Sequence, residues 1–140
     1  MKIATRMGIF LLAALMCLTL IACADVDVTG IWEQATYTAD TDLGEGAKTL
    51  TLQVTAEEQT LTFTVHTDKT ILGDALQELE LIAGEEGAYG LYVKTVNGMT
   101  IGDNESAYWA LYQNGEYSMT GVDTTAIVEG VTYALVKEGY

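Results

Sequence analysis

Two runs of strict alternation constrain this chain more than anything else in it. Leu50, Leu52 and Val54 alternate with Thr49, Thr51, Gln53 and Thr55; after Ala56-Glu57-Glu58 the pattern returns as Leu61, Phe63 and Val65 against Thr60, Thr62, Thr64 and His66. A period of two puts the members of each set on opposite faces of a strand, and threonine on the open faces suits a half-buried sheet. The two runs predict an antiparallel hairpin with one apolar face, which another element must cover.

The period then changes. Leu72, Ala75, Leu76 and Leu79 fall at helical spacing, predicting one helix from about Ile71 to Leu81. Thr70 or Asp68 is its N-cap; Gly73 stands where a capping box would need Glu or Gln. Gly84 and Gly87 bracket a loop. Strands follow at Tyr89–Val96, Met99–Ile101, Tyr108–Gln113 and Val131–Val136, with tight turns at Asn97-Gly98, Asn114-Gly115 and Glu129-Gly130. Hairpin, helix, then strands suits an α+β class: a β-grasp-like small mixed sheet of about five strands, one helix across one face, and a last strand returning beside the first. No proline occurs, so charges and threonines must discourage edge pairing, and an exposed edge is a partner site.

Upstream, Lys2 and Arg6 precede an apolar run from Met7 to Ile21, shorter than the roughly 20 residues that span a bilayer. The run reads as a secretion signal. Its end, Leu20-Ile21-Ala22-Cys23, resembles the lipobox of bacterial lipoproteins, which implies lipidation of Cys23 as the new N-terminus; the alternative is an ordinary signal peptide cut near Ala22. The expected layout is a signal peptide over 1–22, an acidic tether over 23–48 and a folded domain over 49–140, held at the extracytoplasmic face of the membrane by two acyl chains. In the tether, Trp32 and Tyr37 either dock on the domain edge or belong to a mobile segment. Cys17 leaves with the leader, so no disulfide is expected.

With Lys2 and Arg6 removed, 4 basic residues face 20 acidic ones, a formal charge of −16. That sign excludes nucleic acid. The acids are scattered, as on a solvated surface, and bias the domain toward neutral or cationic ligands. Asp40, Asp42 and Glu45 lack EF-hand spacing, and His66 is the only histidine, so no metal site is expected. Nor is an enzyme: Ser106 and Ser118 have no nucleophile elbow, and Glu57-Glu58 and Glu85-Glu86 lie in polar loops where both carboxylates stay ionised. Gly44-Glu45-Gly46 is linker rather than a phosphate loop.

Chemistry concentrates between Tyr108 and Asp123, YWALYQNGEYSMTGVD. Aromatic faces carry much binding area at small entropic cost. Trp109 and Leu111 share one side of the predicted strand, Tyr108, Ala110 and Tyr112 the other, so both sets are not expected to line one site. The tyrosine side with the Asn114-Gly115 tip is the expected ligand face, Trp109 being partly core. The candidate ligand-binding set is Tyr92, Tyr108, Trp109, Tyr112, Gln113, Asn114 and Tyr117.

LGDAL at Leu72–Leu76, YVKTVNG at Tyr92–Gly98, YWALY at Tyr108–Tyr112 and GVD at Gly121–Asp123 carry a resemblance spanning about Lys48 to Lys137. In these motifs the chain resembles a family of bacterial extracytoplasmic domains of unknown function, related to the C-terminal β-domain of transcobalamin and intrinsic factor. The resemblance implies a β-grasp that binds a soluble ligand, a corrinoid or another cyclic or planar nutrient, for an uptake system, with Tyr108, Trp109, Leu111, Gly121, Val122 and Asp123 at the corresponding positions. The helical barrel of the cobalamin carriers has no counterpart in this sequence, and one small sheet covers only one face of so large a ligand. No cofactor is expected beyond such a ligand. The competing expectation is an envelope interaction module that pairs its sheet edge or tyrosine patch with a membrane transporter subunit or surface protein.

Overall fold

The computed structural model describes residues 25–140; the leader, Cys17 and the lipidation candidate Cys23 lie outside the described residues. In chain order the elements are β1 (Thr41–Gly44), β2 (Lys48–Ala56), β3 (Gln59–Thr67), α1 (Leu72–Glu78), β4 (Ile82–Gly87), β5 (Gly90–Val96), β6 (Met99–Thr100), β7 (Ala107–Gln113), β8 (Glu116–Tyr117) and β9 (Thr132–Gly139), with 3-10 turns at Gly30–Gln34 and Val122–Thr124. The class is α+β, as expected. The strand count is not: nine strands among the described residues form a six-stranded sheet ordered β1-β3-β2-β9-β7-β8 and a three-stranded sheet ordered β4-β5-β6, instead of about five in one sheet.

The predicted hairpin is β2 and β3, paired antiparallel from Lys48↔Thr67 to Ala56↔Gln59. Its alternation is its burial pattern: Leu50, Leu52, Val54, Leu61, Phe63 and Val65 all lie in the core, each burial favouring folding by about 1.5–3 kcal/mol. The last strand does return beside the first, β9 running parallel to β2 with Leu52↔Tyr133 and Val54↔Leu135, so Tyr133 and Leu135 extend the same apolar face. It runs to Gly139 rather than Val136. The period of two continues through the charged pair Lys137-Glu138, which hydrophobicity alone does not register.

Leu72, Ala75 and Leu76 of α1 are buried against this face. The helix is shorter at both ends than its apolar spacing predicts. Neither Thr70 nor Asp68 caps it: the N-cap is Ile71, without a side-chain cap, and the Leu72 N–H donates to the Thr125 carbonyl at 2.9 Å instead. At the other end Glu80 adopts a left-handed φ of 57° while the Leu81 N–H reaches the Leu76 carbonyl and the Glu80 N–H the Gln77 carbonyl. That is a Schellman turn. Glycine usually marks it, and here there is none to read.

Of the two expectations for the upstream acidic segment, docking is the one the structure has, and over 25–48 the chain is built into the fold rather than hanging from it. Trp32 is 0 % exposed and donates its indole N–H to the Ala56 carbonyl at 2.9 Å, while Tyr37 packs edge-on against Phe63. Buried Asn97 accepts the Tyr37 N–H and returns its amide N–H to the Tyr37 carbonyl, both at 2.9 Å. β1 then adds to β3 in parallel.

The stretch around Gly84 and Gly87, expected as loop, is β4, and Glu85-Glu86 accordingly lies on an exposed strand. Gly84 sits at a register shift where the Tyr92 carbonyl leaves no room for a Cβ. Glycine here serves a bulge and a close backbone approach, which by sequence looks the same as a loop.

Candidate functional site

β7 pairs with β9 from Ala107↔Gly139 to Gln113↔Tyr133, but on its other edge β8 meets only Tyr112 and Gln113. The Ser118 N–H donates to the Leu111 carbonyl at 2.8 Å. Backbone groups two residues apart point the same way, so Ala107 and Trp109 present theirs to an edge without a strand partner. β5 has a matching gap: β6 meets it only at Thr95 and Val96. The Trp109 indole N–H ties the two strands at the Lys94 carbonyl, 3.1 Å away. Beyond that tie they border a cleft of about 210 Å³, walled by Tyr92, Tyr108 and Tyr117 over Val93, Leu111 and Leu135. A second cleft of about 190 Å³ shares Tyr92, Val93 and Tyr108 and adds Lys94, Asp103, Glu105 and Tyr140.

The tyrosines are organised by Glu138, which faces Tyr108 across the β7–β9 ladder. Its carboxylate accepts the Tyr108 hydroxyl at 3.3 Å and the Tyr112 hydroxyl at a shorter separation. Tyr140 stacks on Tyr108, with ring centroids 5.3 Å apart and planes 14° from parallel, and bonds the Tyr92 hydroxyl at 3.3 Å. Tyr117 meets Tyr112 edge to face at 5.6 Å. The Tyr117 hydroxyl, desolvation and the Glu138 charge raise the Tyr108 pKa; hydrogen bonding to Glu138 raises that of Tyr112, and Tyr140 that of Tyr92. All three phenols therefore stay neutral near neutral pH.

Both nearby cations are engaged. Lys94 is paired with Asp103 and lies 3.7 Å from Glu85; the contact raises the lysine pKa and lowers that of Asp103. Lys137 pairs with Glu105 at 3.0 Å and lowers its pKa.

The sequence candidates separate accordingly. Tyr92, Tyr108 and Tyr117 border the larger cleft, as does Trp109, which is nonetheless only 7 % exposed. Trp109 and Leu111 thus share a site with Tyr108 and Ala110, which was not expected. The alternation argument holds for a site on a sheet face, whereas this cleft lies along a strand edge, where side chains of both faces reach the rim. Tyr112 is turned to Glu138 and borders neither cleft. Gln113 braces the hairpin through Ser118 at 3.0 Å, and Asn114 accepts the Thr132 N–H at 2.9 Å, tying the turn to β9. The tip is a strut rather than part of the cleft. Glu138, Tyr140 and Val93 were not among the candidates; the apolar pattern of the last strand ends at Val136 and leaves no signal for Glu138.

The GVD motif supports the cleft from behind. Val122 is buried, and Asp123 accepts the Leu91 N–H at 3.0 Å. Gly90, at φ 103°, lies so close to the Asp123 carboxylate that a Cβ would collide with it. Asp123 therefore holds the start of β5, and with it the Tyr92 wall.

Elsewhere His66 bridges Asp42, 2.7 Å from Nε2, and Thr49, 3.1 Å from Nδ1. Among the described residues no three His, Cys, Asp or Glu side chains converge on a metal-sized site. No helix among them is long and apolar enough to cross a membrane.

A cleft along unpaired strand edges, in a small α+β domain, defines the class as a ligand-binding fold. Residues 68–132 match the model of a domain of unknown function, DUF4430. The chain is similar in structure to a candidate metal-binding protein from Ruminococcus gnavus, at 29 % identity and a TM-score of 0.64, over 67 % of this chain and 99 % of that one. It is also similar to haptocorrin in complex with Cbi, at 17 % identity and a TM-score of 0.56, over 70 % of this chain and 27 % of that one; at that identity the likeness is one of fold. The resemblance to a domain of unknown function related to the transcobalamin C-terminal domain is thereby shown. No curated protein matches the chain.

Proposed function

We propose that this protein is an extracytoplasmic lipoprotein whose β-grasp domain holds a small ring-bearing ligand along the β5 and β7 edges and passes it to an uptake system. The observation that carries the reading is the edge cleft itself. Tyr92 and Tyr117 stand 47 % and 52 % exposed on its rim, an arrangement that leaves large aromatic surface waiting for a partner. At about 210 Å³ the cleft falls below the roughly 300–1,000 Å³ of sites that engulf a drug-sized molecule. A corrinoid would be held by one edge; a single planar ring would fit more fully.

Calorimetric titration of the full chain in detergent with cobinamide and with smaller planar heterocycles tests this. Tyr117→Ala should weaken binding by about 1–3 kcal/mol, and Tyr112→Phe should leave it unchanged. No heat with any of these ligands at millimolar concentration would sink the reading.

A second reading rests on fully exposed Tyr89, two residues before Leu91 of the cleft, and on Met119, 92 % exposed and set between its Ser118 and Thr120. They suit an envelope protein docking over the rim. A Tyr89→Ala, Met119→Ala double variant that recovers the same membrane proteins as the parent in a pull-down would remove its basis.

A further inference from the structure

We propose that the larger edge cleft selects an organic cation of the quaternary-ammonium class. The inference rests on the reading above that the cleft is a ligand site, and makes the ligand's charge, rather than a ring, the feature selected. Among the described residues no charged side chain lines this cleft, so an anion would find no counter-charge there. The neighbouring lysines cannot supply one, Lys94 being held by Asp103 and Lys137 by Glu105.

The walls suit the opposite sign. Tyr92, Tyr108 and Tyr117 present aromatic rings, whose faces are the negative part of the quadrupole. Tyr108 donates a hydrogen bond from its hydroxyl to the Glu138 carboxylate at 3.3 Å, which enriches the ring in electron density and keeps a carboxylate charge at its hydroxyl end. The chain's excess of acids, 20 Asp and Glu against 6 Lys and Arg, surrounds the domain with a field that concentrates cations.

Hydrogen bonding narrows the class further. A primary ammonium brings three donors that burial would require it to satisfy. The Ser118 and Thr120 hydroxyls on the wall are already committed, Ser118 to Gln113 and Thr120, and Thr120 to Thr125 at 2.8 Å, which leaves the unpaired backbone carbonyl of Trp109 on the β7 edge as the acceptor at hand, one for three donors. A quaternary ammonium has no N–H to satisfy and loses nothing against such a lining.

The test is calorimetry of the full chain with choline and with its uncharged isostere 3,3-dimethylbutan-1-ol. Choline should bind at least tenfold more tightly than the alcohol, lose at least tenfold with Tyr117→Ala at the exposed rim and with Glu138→Gln behind it, and keep its affinity with Tyr89→Ala. Equal affinity for the alcohol, or choline binding that Tyr117→Ala does not change, would overturn the proposal. Binding of neutral planar ligands without choline would overturn the charge assignment and leave the ligand site standing; binding of neither would remove both.

Discussion

Glu138 decides how the tyrosine face behaves, because one carboxylate takes the hydroxyls of both Tyr108 and Tyr112. Their phenol pKa values are raised in the folded chain, so the sign of the pH dependence follows. Below about pH 10 the phenols are protonated whether the chain is folded or not; above it the unfolded chain releases those protons while the folded one keeps them, and stability falls. Thermal unfolding midpoints should fall as the pH is taken upward from about 10, and less steeply in Tyr112→Phe than in the parent. Which side of β7 carried Tyr108 and Tyr112 could be read from the alternation. Their partner could not, since the apolar pattern of the last strand stops at Val136, two residues short of Glu138.

Elements were legible wherever a single apolar face set their period, as in β2, β3 and the middle of α1. They were not where backbone geometry decided. Glu80 ends α1 in a left-handed conformation that favours glycine, so Glu80→Gly should raise stability by about 1 kcal/mol, read from the midpoint of urea unfolding. The segment before β1 is acidic and carries only isolated large residues, which reads as tether, yet Trp32 is wholly buried and bonded to Ala56. Trp32→Ala should cost about 3–5 kcal/mol by the same measurement. A freely hanging segment would cost nothing.

At the scale of the whole molecule, that packing limits how far the domain can stand from its proposed anchor. Asp25 already bridges Ala39, so Ala24 alone separates it from Cys23. A lipidated chain would lie against the membrane surface rather than on a long tether, and Cys23→Ser should move the protein from the membrane to the soluble fraction, as an immunoblot of the two would show. The alternating and helical periods of the sequence by themselves determined a hairpin, a helix to cover it and a strand returning alongside, because burial of one apolar face is a local, periodic demand. Tertiary structure alone decided that Tyr92 and Tyr108, sixteen positions apart, would meet across two unpaired edges. No period records where a strand loses its neighbour, and that loss is what opens the cleft.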